Sequence, residues 1–164
     1  MQVVALFGDM STVVDKLDAA QKATAERTGR LPKGDPLAAR LAALRDKLEE
    51  VRRKIVTTKE GGAITGEERI REHADHLYGA LLRYEGKPAA YQEARIGALR
   101  HELQDVQAAF DQLASTEMKA VDAALREHNL PPLTTVSSGD DRSEGGEKAL
   151  HVVRPPDGDT QVGR

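Results

Sequence analysis

The sequence predicts an all-α protein, an antiparallel up-down four-helix bundle or coiled coil with one very long C-terminal helix and a disordered tail. Apolar side chains recur alternately three and four residues apart, which is the spacing of a helix seam. Alanine, leucine and charged residues dominate and aromatic residues make up only 3% of the chain, a composition typical of bundles. The long stretch between Pro88 and Pro131 contains no proline. Together these observations favour a few long amphipathic helices.

The first helix is predicted at about residues 2–27. Its seam consists of Val3, Leu6, Met10, Val13, Leu17, Ala20 and Thr24. No Ser, Thr, Asp or Asn precedes the first apolar position as an N-cap, so we expect the helix to continue from an upstream segment. Beside the seam, Val4, Phe7 and Val14 form a second apolar stripe. Such a wide face fits docking to a partner or deep burial within the bundle, and the sequence leaves both interpretations open.

The second and third helices are predicted from their start signals and seams. Asp35 is a suitable N-cap and Pro36 a suitable first residue for a helix over about 36–56. Its seam consists of Leu37, Leu41, Leu44, Leu48, Val51 and Ile55. Thr65 with Glu68 forms a capping box that predicts a helix over about 66–84. The buried face of that helix consists of Ile70, Ala74, Leu77, Leu81 and Tyr84.

The fourth helix, predicted over about 88–128, is the longest. Its seam begins with Ile96, Leu99, Leu103, Val106, Phe110 and Leu113. After Phe110 the apolar positions shift to Ala114 and Met118, and two successive steps of four residues are a stutter that unwinds a supercoil. We therefore expect a kink or a break near Ser115–Thr116. Asn129 and the two prolines that follow end the helix.

The length of helix 4 predicts an overhang. If four helices pack side by side, its last five turns project past the shorter helices. Met118 and Leu125 would then be open to a second copy of the chain. The candidate docking residues are accordingly Val4, Phe7, Val14, Met118 and Leu125.

Composition and motifs argue against several other functions. The net charge of −3 gives no electrostatic case for nucleic acid, and no apolar run approaches the roughly 20 residues of a membrane span. The chain has no cysteine, and the Glu-x-x-His motif of di-iron bundles is absent. We expect no catalytic residue, no cofactor, no metal and no signal peptide. Residues 134–164, rich in Gly, Ser, Asp and Pro, are predicted to be a disordered tail behind a single helical domain over 1–133.

Three stretches resemble the helical C-terminal region of bacterial BNR-repeat proteins, the sortilin-like, glycosyl-hydrolase-like group. They are MQVVALFGDMSTVVDKLDAAQ, LYGALLRYEGKPAAYQEARIGALRHELQDV and VDAALREHNLPPL. In such proteins a β-propeller comes first, often followed by a small β-sandwich, and then helices like these. The resemblance implies that this chain is a C-terminal fragment or a truncated product of a secreted or periplasmic family. The Asp-box of the propeller cannot be present because the chain has no Trp, so no catalytic residue carries over.

These observations lead to one expected function and two alternatives. We expect a non-catalytic helical module that docks against a β-propeller through helix 1 and the end of helix 4. The first alternative is a self-associating coiled-coil scaffold that uses the same surfaces. The second is a glycosyl hydrolase activity, for which the resemblance is the sole argument.

Overall fold

The computed structural model describes residues 2–57, 68–83 and 86–133. This part of the chain is all-α and contains no strand, which confirms the predicted fold class. The helices are α1 (Gln2–Thr28), α2 (Pro36–Arg52), α3 (Ile70–Leu82), α4 (Ala90–Leu113) and α5 (Lys119–Glu127). A π-helical turn over Ala114–Met118 joins α4 to α5, so these two form one continuous rod. The predicted tail over 134–164 lies outside the described residues.

The rods α1 and α4–α5 run in the same direction. At one end, the guanidinium of Arg100 on α4 donates to the carbonyl of Gln2, with an N–O distance of 3.2 Å. At the other end, the guanidinium of Arg27 on α1 donates to the carbonyl of Pro131 at 3.2 Å. Because each contact joins matching ends of the two rods, α1 and α4–α5 are parallel neighbours.

Helices α2 and α3 lie in line rather than side by side. Helix α2 runs back along the second half of α1, where Arg52 pairs with Asp18 at 2.7 Å. The amide of Arg71 then donates to the carbonyl of Ile55 at 3.1 Å, which joins the start of α3 to the turn after α2. Helix α3 continues in the same direction along the first half of α1. The bundle is therefore three rods in cross-section, with the middle rod broken.

This arrangement removes the predicted overhang of helix 4. The prediction assumed that α2 and α3 lie beside each other and cover the same half of the long helix. Instead α3 packs on α4, while α2 packs on α4 and α5 and reaches the π turn between them through the ion pair of Lys47 with Glu117. Two short helices placed end to end match one long helix, so the full length of the α4–α5 rod is covered.

The heptad seams form the core. Leu6, Leu17, Leu41, Leu44, Leu48, Leu99 and Leu125 are among the fully buried side chains. Every seam position predicted for helix 2 is buried as well. At about 2 kcal/mol for a buried aliphatic side chain, this continuous leucine-rich core is the main stabilising feature of the bundle.

The helix starts agree with the prediction for α2 and differ for α3. The carboxylate of Asp35 accepts the amide of Leu37 at 2.8 Å, and Pro36 is the first helical residue. Helix α3 begins at Ile70 rather than near residue 66. There the Glu72 carboxylate accepts the Arg69 amide at 2.9 Å. This is the Glu half of a capping box, four residues later than the predicted one; Thr65 lies outside the described residues.

The π turn is the structural form of the predicted stutter. A π turn accommodates one extra residue and leaves a backbone carbonyl without its usual α-helical donor. The carbonyl of Gln112 instead accepts the hydroxyl of Thr116 at 2.7 Å and that of Ser115 at 3.1 Å. The two hydroxyl residues thus stabilise the irregular turn, and the helix continues through it without a break.

Candidate docking surface

Within the described part of the chain, three large apolar side chains are strongly exposed, and all three lie at the same end of the bundle. Val4 is 50% exposed near the start of α1, Leu82 is 62% exposed at the end of α3, and Tyr91 is 73% exposed at the start of α4. Because α1 and α4 are parallel and α3 is antiparallel to both, these three helix ends meet. Large exposed apolar residues are common one at a time, but their grouping at one end indicates a candidate contact surface.

A cleft of about 420 Å³ opens at this same end. It lies between the first turn of α1, the last turn of α3 and the first turns of α4. Its lining is Gln2, Val3, Tyr78, Leu81, Leu82, Gly86, Pro88, Glu93 and Ile96. The lining is mainly apolar, so the cleft suits an apolar side chain better than a polar metabolite. We call this cleft, together with Val4 and Tyr91, the apolar end.

Phe7 supports the cleft from below. Its ring packs edge-to-face against the ring of Tyr78, with centroids 5.9 Å apart and planes at 77°. Phe7 is half-buried against the core. It therefore holds a cleft-lining residue in place, and of the predicted stripe on helix 1 only Val4 is strongly exposed.

Val14 lies at a second, smaller opening. This opening has a volume of about 240 Å³ and sits at the junction between α2 and α3, where the middle rod is broken. Its lining is Phe7, Met10, Ser11, Val14, Asp15, Ile55, Val56 and Arg71. Val14 is half-buried against the core. The wide apolar face predicted on helix 1 therefore packs against α3 along its first half and against α2 along its second half. Of the two interpretations that the sequence left open, Phe7 and Val14 follow burial within the bundle.

Met118 and Leu125 are not docking residues in this structure. Both side chains are fully buried, whereas the prediction placed them on an exposed overhang. Helix α2 covers this part of the rod, and Lys47 of α2 pairs with Glu117 at 2.6 Å. Arg40 of α2 also donates to the carbonyl of Ala120 at 3.4 Å. These two candidates belong to the core because α2 lies in line with α3.

Among the described residues, the carboxylate with a shifted pKa is that of Glu49, which is not part of the apolar end. Burial alone would raise the pKa of Glu49, but hydrogen bonds from Gln21 at 2.9 Å and Arg53 at 3.3 Å lower it on balance. Glu49 lies on α2, away from the cleft. Within 2–57, 68–83 and 86–133, no group of three or more His, Asp or Glu side chains is arranged to hold a metal ion. None of the helices in these ranges is both long and apolar enough to cross a bilayer.

The sequence pattern did not identify Leu82 and Tyr91. Both residues lie outside the seams. Leu82 follows the seam residue Leu81, and Tyr91 precedes Ile96, the first seam residue of helix 4, so a search for the seam spacing does not select either of them. Their position outside the seam is itself a usable signal, since a large apolar residue there either packs on a second neighbouring helix, as Phe7 does, or faces solvent or a partner. Recognising the surface also required the parallel orientation of α1 and α4, because that orientation brings the three helix ends together.

Comparison of the chain with protein-family models, with curated proteins and with solved structures finds no match in any of the three.

Proposed function

We propose that this chain is a non-catalytic helical docking module whose contact surface is the apolar end. The observation that carries the proposal is an apolar cleft lined by Leu82 at the end of the bundle where Val4 and Tyr91 are also exposed. The occupant we propose is a β-propeller domain, as in the BNR-repeat proteins that the sequence resembles. In those proteins the propeller precedes helices of this kind, so it would adjoin the start of α1, which is part of the apolar end.

The size of the apolar end suits a contact between tethered domains. Burying a large apolar side chain contributes about 2 kcal/mol, so three exposed side chains supply only about 6 kcal/mol before the costs of association. That is too little for a tight complex between separate molecules. Within one polypeptide the effective concentration of a neighbouring domain is in the millimolar range, and a modest surface of this kind is then sufficient.

The two alternatives have less support. A self-associating scaffold relied on Met118 and Leu125, which are buried against α2. A glycosyl hydrolase would need two carboxyl groups facing each other across a cleft. The apolar cleft carries one carboxylate among its lining residues, that of Glu93.

Titration with a β-propeller domain of the BNR-repeat class tests the proposal. We expect binding in the micromolar-to-millimolar range with amide shifts confined to the first turns of α1 and α4 and the last turn of α3. Leu82→Glu should weaken binding at least tenfold because it places a charge in the contact. Ala43→Glu, which adds the same charge on the exposed face of α2, is the matched control and should bind normally.

Two results would refute the proposal. One is the lack of a propeller reading frame next to this chain together with a monomer that binds no hydrophobic dye. The other is binding that Leu82→Glu and Ala43→Glu weaken equally. Light scattering in the same experiments reports self-association, because a stable dimer of the free chain would favour the scaffold alternative.

A further inference from the structure

The last four described residues form a strap across the end of the bundle opposite the apolar end. The strap is Leu130, Pro131, Pro132 and Leu133. Before it, α5 ends in a Schellman motif, in which the amide of Leu130 donates to the carbonyl of Leu125 at 2.9 Å and Asn129 adopts a left-handed backbone. The chain then turns back over the core, and the Leu133 side chain is fully buried.

Arg27, at the end of α1, binds two consecutive carbonyls of the strap. Its Nε donates to the carbonyl of Pro131 at 3.2 Å, and its Nη2 donates to the carbonyl of Pro132 at 3.4 Å. The remaining nitrogen, Nη1, contacts the carbonyl of Ala23 at 3.5 Å and the carboxylate of Glu26 at 3.1 Å. Arg27 is only 7% exposed. A planar guanidinium with several fixed donors suits adjacent carbonyls, whereas an ammonium is a single point charge.

Asp122 binds the next polar group of the strap from the opposite side. This residue lies on α5 and is 3% exposed. Its carboxylate accepts the amide of Leu133. A hydrogen bond to an ionised acceptor is stronger than one between neutral groups, so the strap is held between two buried charged residues on two different helices.

The two charged side chains complement the backbone of a Pro-Pro-Leu segment. Proline has no amide hydrogen, so Pro131 and Pro132 present acceptors alone, and Leu133 presents the first donor that follows. Arg27 supplies donors to the two acceptors, and Asp122 supplies an acceptor to the donor. Burying a charge is costly unless it is fully hydrogen-bonded. The strap supplies these partners to Arg27 and Asp122 without adding proline amide hydrogens that would need acceptors of their own.

We propose that Arg27 and Asp122 form a peptide-binding site selective for two consecutive prolines followed by a large apolar residue, and that the chain's own strap occupies this site. The ligand class is therefore a Pro-Pro-Leu peptide, bound through its backbone and anchored by the leucine side chain. Such a peptide enters the site when the strap is released. This site is independent of the apolar end and lies at the other end of the rods.

A full-length chain with a weakened strap tests the proposal. The double variant Pro132→Gly/Leu133→Ser removes the anchor and one proline while leaving both charged residues in place. The probe is the peptide acetyl-Asn-Leu-Pro-Pro-Leu-amide, and the control peptide has Ala-Ala in place of Pro-Pro. We expect the Pro-Pro peptide to bind at least tenfold more tightly than the Ala-Ala peptide and to raise the melting temperature of the variant. Adding Arg27→Met to the variant should weaken binding of the Pro-Pro peptide at least tenfold, because it removes the donors to both proline carbonyls.

The proposal is overturned if the folded double variant binds neither peptide at millimolar concentration, or binds both equally. If the double variant loses its helical circular dichroism signal, hydrogen exchange of the wild-type chain tests the proposal instead. The Leu133 amide should then exchange at least about 100-fold more slowly than in an unstructured peptide, and Arg27→Lys should reduce this protection at least tenfold. An unprotected Leu133 amide, or protection unchanged in Arg27→Lys, would overturn the proposal.

Discussion

Deleting one residue from the π turn should leave the bundle folded, whereas deleting one residue elsewhere in the same rod should not. The turn over Ala114–Met118 holds one residue more than an α-helical turn. Removing Ser115, which is exposed, converts it to an α-helical turn. The side chains that follow then keep their direction toward the core. The spacing of the downstream seam at Met118, Val121 and Leu125 is unchanged by this deletion.

The matched control is deletion of Glu102, which is also exposed but lies in regular α-helix. It rotates everything that follows by about 100° relative to the preceding seam. The buried side chains affected are Leu103, Val106, Phe110, Met118, Val121 and Leu125. At about 2 kcal/mol each, their loss amounts to about 12 kcal/mol, which is comparable to the whole stability of a domain, about 5–15 kcal/mol.

Circular dichroism and thermal denaturation measure both effects. Deletion of Ser115 removes one exposed hydroxyl–carbonyl bond and restores a backbone one, so the stability should change by about 1 kcal/mol or less and the melting temperature by less than about 5 °C. Deletion of Glu102 should abolish the cooperative transition. If the two deletions destabilise the chain equally, the π turn does not accommodate an extra residue in the way proposed.

Three further predictions concern the core, a cap and a carboxylate. Leu44→Ala should lower the free energy of unfolding by about 3–5 kcal/mol, because it leaves a cavity under a fully buried side chain; Arg45→Ala, next to it and exposed, should change it by less than about 0.5 kcal/mol, as measured by chemical denaturation. Asn129, with φ of 54°, should tolerate Asn129→Gly, whereas Asn129→Ala should lower the melting temperature, because only glycine adopts this backbone without strain. Gln21→Ala should raise the pKa of Glu49 measured by NMR titration, because it removes a hydrogen bond to the ionised carboxylate. The pKa of Glu49 is lower in the folded chain than in the unfolded chain. Ionised Glu49 therefore stabilises the fold at pH values above its unfolded-state pKa, and this stabilisation is lost as the pH falls through its folded-state pKa.

The sequence was sufficient for the helices and the seams because their information is local. The three-and-four spacing places the seam residues from Leu37 to Val51 on one face of the helix, regardless of which helix packs against that face. The Asp35–Pro36 pair marks a helix start within two residues. The stutter at Ala114 was equally readable, since it depends on spacing within one helix. Its outcome as a π turn followed from the two hydroxyl residues placed there.

The arrangement of the helices was not readable from the same pattern. A seam indicates that one face of a helix is covered, but it does not indicate which neighbour covers it. The in-line placement of α2 and α3 could therefore not be predicted. For the same reason the burial of Met118 and Leu125 was not predicted. The contacts that hold the strap could not be predicted for a different reason. Arg27 and Asp122 resemble ordinary surface charges in the sequence. The burial of Arg27 depends on a contact with Pro131, 104 positions away, and Asp122 binds an amide that lies beyond the end of its helix.

The parallel course of the first and last rods has a consequence for how the bundle can be joined to other structures. Residue 2 and Leu133 lie at opposite ends of the bundle, and α1, which runs from one of these ends to the other, has 27 residues and measures about 40 Å. Anything attached before the one and anything attached after the other is held apart by that distance. A mechanical load applied between these two attachment points would therefore run along the helices rather than across them.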